Sequence, residues 1–154
     1  MQGTHGTEEP ADRDPVFDVE LAPRRHKGLK KHESSLLTQI RTGKVGLRAF
    51  LFSRKVPEVN TPLCPCGRGE ETPAHLVIHC SGLTEERERL RRELAPHALR
   101  TSRDFAAITA DRNRAPIVVK WLLATGRFPE FRLARRYAAL QDHEAARGAL
   151  GEGE

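Results

Sequence analysis

The chain has three cysteines, and all of them fall within residues 63–82, as Cys64, Cys66 and Cys80, with His75 between the second and third. The spacing is Cys-x-Cys, eight residues, His, four residues, Cys. Thiolate sulfur and imidazole nitrogen are the donors that zinc takes in a tetrahedral shell. Cys64, Cys66, His75 and Cys80 are therefore expected to form a structural zinc site. Buried free cysteines are the alternative for the cluster. Gly67 and Gly69 permit a tight reversal after the first pair. Thr72 and Pro73 then read as the cap and first turn of a short helix, which places His75 early on it. Cys80, followed by Gly82, would close the shell from the helix end.

His79 lies four residues after His75, on the same helix face, and could also approach a metal. Leu76 stands where the His-Glu-x-x-His protease pattern needs its general base, and four ligands are complete without His79. It is expected as a neighbour of the site. Arg41-Thr42-Gly43-Lys44 superficially resembles a phosphate loop, but Val45 follows where Ser or Thr is required. No nucleophile and base arrangement stands out, so the reading is a binding module and not an enzyme.

The elements that must position these residues read as helices. Leu36, Leu37 and Ile40 are at helical spacing after Ser34 and Ser35, which can cap, and Gly43 can end that helix. A second piece carries Leu47, Phe50 and Leu51 and ends before Pro57. Thr84 can cap a charged helix with Leu83, Leu90 and Leu94 on one stripe, Glu85–Arg89 and Glu88–Arg92 as i,i+4 pairs on a solvated face, and Pro96 as its stop. Pro116 opens an apolar helix through Ile117, Val118, Trp121, Leu122 and Leu123 to Gly126, the expected core helix. A last helix from near Pro129 is expected to bury Phe131, Leu133, Ala134, Tyr137 and Leu140, with Trp121 and Tyr137 as packing residues.

These pieces give a mainly α fold: a small helical domain over residues 27–140, holding a CCHC zinc knuckle at 63–82 with a short β-turn between Leu63 and Glu71. Residues 1–26 mix Gly, Pro and acids without an apolar period and read as a disordered segment. A C-terminal tail is expected over 141–154, with the same character from Gly148 onward. One Trp, one Tyr and six Phe among 154 residues make the core modest, a case in which a metal helps. No apolar h-region opens the chain, three cysteines cannot all pair, and no run approaches the roughly 18 apolar residues that span a bilayer. An intracellular protein, nuclear or cytoplasmic and without membrane partners, is expected.

A formal charge of +5 is modest, but its placement is informative. Arg24, Arg25, His26, Lys27, Lys30, Lys31 and His32 follow an acidic segment. Such a cluster suits phosphate binding or nuclear import, and equally a solvated linker.

Residues 34–47 (Ser-Ser-Leu-Leu-Thr-Gln-Ile-Arg-Thr-Gly-Lys-Val-Gly-Leu), then Cys64-Pro65-Cys66-Gly67, Glu70-Glu71-Thr72, His75 and Cys80, resemble the C-terminal zinc-binding segment of fungal LINE-type (non-LTR) retrotransposon polyproteins. Residues 121–133, with Thr125-Gly126-Arg127 and Phe131, resemble the helical end of the same polyproteins, so the likeness covers roughly residues 27–140. In that family the segment follows reverse transcriptase and ribonuclease H domains. The resemblance implies a nucleic-acid-associated tail whose zinc ligands match Cys64, Cys66, His75 and Cys80 one by one. It carries no enzymatic activity across, because the polymerase and ribonuclease acids have no counterpart here. The unmatched acidic segment from Met1 is what a gene fragment or captured piece of an element would show.

Three functions are open on this reading. The first is sequence-nonspecific binding of RNA or DNA, with Arg24, Arg25, Lys27, Lys30, Lys31, Arg41, Lys44, Arg48 and Arg68, together with Arg54 and Lys55, on phosphates. The second is a protein-interaction or structural module that docks on the retrotransposon enzyme domains. The third is a folded remnant without function.

Overall fold

The structure is a computed structural model that describes residues 26–151. It is mainly helical. Among the described residues there are seven α-helices: α1 (Lys31–Thr42), α2 (Arg48–Ser53), α3 (Pro73–Ile78), α4 (Thr84–Leu94), α5 (Ser102–Ala110), α6 (Ala115–Ala124) and α7 (Arg132–Gly151). The only β pairing among them is an isolated antiparallel bridge between Leu63 and Glu70. No described helix is long and apolar enough to cross a membrane.

α1 begins a turn earlier than Ser34 and Ser35 suggest. The Glu33 carboxylate reaches back to accept the Lys30 N–H at 2.9 Å, so the helix start is satisfied from inside its own first turn. Its end is the expected one, with Gly43 in the left-handed conformation at φ 72°. Leu36, Leu37 and Ile40 are buried. α2 is the separate second piece, joined to α1 through buried Val45 and Leu47.

α6 is the centre of the domain. Ala115, Val118, Val119 and Leu122 are fully buried, and α1, α3, α4 and α5 all pack on this helix. A helix surrounded on several sides must be apolar on several sides, which is what the Ile-Val-Val and Trp-Leu-Leu runs provide. Ile117 and Trp121 are half-buried, and the Trp121 indole N–H donates to the Glu86 carbonyl of α4 at 2.9 Å. α5 is an element that the hydrophobic pattern alone does not announce. Thr101 and Asp104 form a reciprocal capping box there, and Phe105 and Ile108 are buried.

α4 has its expected apolar stripe of Leu90 and Leu94, and Leu83 of the preceding 3-10 turn is buried beside them. Its charges are arranged differently from the expected i,i+4 pairs: Glu88 pairs with Arg91 at 3.1 Å, while Arg92 donates to the Glu88 carbonyl. Arg87 departs from the solvated face altogether and is 6% exposed.

α7 departs most from expectation. A 3-10 turn (Pro129–Phe131) buries Phe131, but Leu133, Tyr137 and Leu140 are 60–61% exposed. Across a groove of about 610 Å³ the helix presents Ala134, Tyr137, Ala138 and Gln141 to the first turn of α1, and Lys30 is paired with Asp142. Tyr137 lines this groove yet stays largely exposed, whereas Leu133 and Leu140 are exposed without lining it. Tyr137 is thus an exposed residue and not a core one. The helix also continues to Gly151, beyond the expected start of a tail at 141, because Ala145, Ala146, Ala149 and Leu150 are helix formers and no proline interrupts them.

The contrast between α6 and α7 has a measurable consequence. Leu122→Ala should destabilise the domain by about 2–5 kcal/mol, as expected for a fully buried leucine, whereas Leu140→Ala should stay within about 0.5 kcal/mol. Denaturant unfolding of the two variants checks this.

Candidate metal centre

The knuckle is built by local hydrogen bonds. Cys64 N–H donates to the Gly69 carbonyl at 2.8 Å, Glu71 N–H to the Pro62 carbonyl at 2.9 Å, and Gly67 N–H to the Cys64 carbonyl at 2.8 Å. Gly67 has φ 75°, the left-handed conformation that closes this reversal and that other side chains resist. The chain then enters α3 as expected: the Thr72 hydroxyl accepts the His75 N–H at 3.1 Å, and Pro73 occupies the first turn. At the far end of α3 the His75 carbonyl accepts from both His79 and Cys80 N–H, which folds Cys80 back toward the cluster.

The result brings together the four side chains expected to be ligands. The ligand atoms of Cys64, Cys66, His75 and Cys80 all lie within 4.8 Å of one another. Cys64 Sγ and Cys80 Sγ are 3.7 Å apart, and Cys66 Sγ is 3.2 Å from His75 Nε2. Two sulfurs held about 2.3 Å from one zinc at the tetrahedral angle stand about 3.8 Å apart, so the spacing fits such an ion. It is far from a disulfide, for which the sulfurs would be about 2.05 Å apart. His79 is exposed, and its ring centre lies 6.5 Å from that of His75. It stands beside the group and not in it.

The surroundings contain residues that spacing does not reveal. Arg127, in the turn after α6, extends Nη1 to 3.9 Å from Cys64 Sγ and 3.3 Å from Glu71 Oε2, and Nη2 to 4.0 Å from Cys80 Sγ. The other Glu71 oxygen accepts the Arg48 N–H at 3.1 Å, which ties α2 to the knuckle. Arg87 donates to the carbonyls of Val77 (3.1 Å), Leu76 (3.4 Å) and Cys80. These are carbonyls at the open end of α3, where a cation is favourable. In the sequence Arg87 is hidden in a charge run, and Arg127 and Glu71 stand out only as parts of the resemblance.

The electrostatics differ along the cluster. Burial pushes the Cys64 thiol up to about 11, whereas a backbone hydrogen bond from Arg68, together with a side-chain hydrogen bond from the His75 ring, holds Cys66 down to about 6 against its partial burial. Burial works against charge on both arginines. For Arg127 the hydrogen bond and charge of Cys64 and the charges of Cys80 and Glu71 outweigh it and hold the guanidinium above its ordinary range, whereas Arg87 is held below.

The basic residues expected on phosphates are not drawn into one group. Arg24 and Arg25 lie outside the described residues. Lys27 and Lys31 are exposed at the start of α1, where Lys30 pairs with Asp142. Arg41 and Lys44 are exposed at its other end, roughly 15 Å along the axis from Lys31 at 1.5 Å per residue. Arg48 heads α2, where its N–H meets Glu71, and Arg54 and Lys55 are exposed at the end of α2. Arg68 is exposed on the knuckle loop. Comparison with protein-family models, with curated proteins and with solved structures found no match for the chain.

Two outcomes are expected. Cys66→Ser or Cys80→Ser should abolish metal retention and loosen residues 63–82, while His79→Ala should keep both, as read by elemental analysis and circular dichroism. Metal affinity should also rise from pH 6 to pH 9, because an ion must displace the proton that burial holds on Cys64. Chelator competition at several pH values checks the sign.

Proposed function

We propose that this domain is a zinc-dependent, nucleic-acid-associated module that acts by binding and not by catalysis, of the kind found at the end of retrotransposon reverse transcriptase polyproteins. The observation that carries the reading is the convergence of three sulfurs and one imidazole within 4.8 Å, at the positions the resemblance assigns to zinc. Three thiolates and one imidazole are a donor set that suits zinc, and with four protein ligands the shell is closed, as in structural sites. Arg48 and Arg68 stand on the segments that frame this centre, and Arg41 and Lys44 are exposed on the approach to α2. With few exposed aromatic rings for stacking, the expected binding is phosphate-directed and indifferent to sequence.

A second reading is favoured by one specific observation, the exposure of the apolar side chains Leu133, Tyr137 and Leu140 on α7. An exposed apolar stripe suits docking on a protein, such as an enzyme domain of a longer polyprotein, and binding there would be insensitive to salt.

Fluorescence anisotropy with labelled RNA and DNA at two salt concentrations separates the two. Phosphate binding predicts that Arg41→Ala with Lys44→Ala weakens association for every sequence and flattens the logarithmic salt slope by roughly 1.4 to 1.8, about 0.7 to 0.9 per lost contact. Absence of binding at low salt overturns the nucleic-acid reading and leaves the docking one.

A further inference from the structure

A divalent ion held by three thiolates and a neutral imidazole forms a unit with one excess negative charge. Cys64 is 2% exposed and Cys80 is fully buried, so that charge would sit in the apolar interior. An uncompensated charge there is costly. The fold places two guanidinium groups and one carboxylate around the cluster, Arg127, Arg87 and Glu71. A divalent cation, three thiolates, two guanidinium groups and one carboxylate sum to zero.

We infer that Arg127 is a positioning residue of the metal centre, which sets its affinity for a divalent cation and shields Cys64 and Cys80 from attack while leaving Cys66 as the reactive sulfur. The inference rests on the metal-binding reading above. Its geometry is that of a fork: one nitrogen addresses Cys64 and Glu71 and the other addresses Cys80. Glu71 fixes the fork from behind and is itself held by the Arg48 N–H. Arg127 precedes buried Phe128, so its backbone is anchored where α6 ends. A hydrogen bond to a thiolate withdraws electron density from sulfur, which makes it a poorer nucleophile and a deeper-lying donor to the metal. Cys66 is half-buried and faces His75 instead.

The test uses the full chain and Co²⁺ or Zn²⁺ alone, with chelator competition for affinity, the sulfur-to-cobalt absorption band for the ligand field, and mass spectrometry of alkylated peptides for the order of thiol attack. Arg127→Gln should weaken the metal by about 10–100-fold, the usual effect of losing a group that orients a ligand. It should move the absorption band to lower energy and bring Cys64 and Cys80 into the alkylated set alongside Cys66. His79→Ala should change none of these. Arg127→Lys keeps the charge but cannot address both sulfurs, so it should fall between wild type and Arg127→Gln. If Arg127→Gln fails to fold, the Lys variant carries the test alone. Affinity, band and alkylation order equal to wild type in a folded Arg127→Gln or Arg127→Lys protein overturn the assignment. If the wild-type chain itself binds neither ion, the metal-binding reading fails, and this inference with it.

Discussion

Sulfur atoms set among leucines and valines impose the constraint on which the rest of the molecule turns, because charge that enters an apolar interior must be answered within hydrogen-bond reach. Cys64 and Cys80 share the core with Leu76, Val77 and Leu90. Arg87 of α4 answers from one side by holding the last carbonyls of α3. Arg127 answers from the other, and Glu71 links Arg127 to the start of α2. The knuckle is therefore part of the core of the domain and not an appendage to it. Removing one arginine would leave its partners buried and unmatched, an effect larger than the net value of the contacts themselves.

Much of this was legible in the sequence, wherever the signal is local. Gly43 as a helix stop, Thr72 with Pro73 as a helix start, and the turn around Gly67 each depend on a few neighbouring residues, and each is found as read. The four clustered donors lie within 17 residues, so spacing alone could name them. What escaped was non-local or ambiguous. Arg127 lies 63 residues from Cys64, and nothing in its neighbourhood marks it as a partner for sulfur. Arg87 stands at helical spacing from Leu83, Leu90 and Leu94 on the apolar stripe, but its charge made it read as one of the solvated run around it. Periodicity located an apolar stripe on α7 but not the helix face chosen for packing. Tyr137 lines the groove toward α1 together with Ala134 and Ala138, and the pairing of Lys30 with Asp142 lies 112 residues apart in sequence. α5 was missed because its start is marked by Asp104 where Glu or Gln is the familiar sign.

The placement of the basic side chains bears on how they can act together. α1 carries Lys31 in its first turn, just after Lys27, and Arg41 in its last, just before Lys44, so any polyanion that meets both pairs must run along the helix. Arg48, four residues beyond Lys44, is tied to the knuckle by its N–H to Glu71. Loosening the cluster would therefore reach α2 directly.

The reach of Arg127 across the chain also orders events in time. During synthesis the donors up to Cys80 leave the ribosome 47 residues ahead of the guanidinium that addresses the Cys80 sulfur. With translation at about 5–20 residues per second, the nascent knuckle exists for seconds without that partner. An ion captured in this interval would be held by the donors alone, without the guanidinium. A metal held there would gain the Arg127 contact only once the turn after α6 has been made, so a late step of synthesis would also be the one that completes its surroundings.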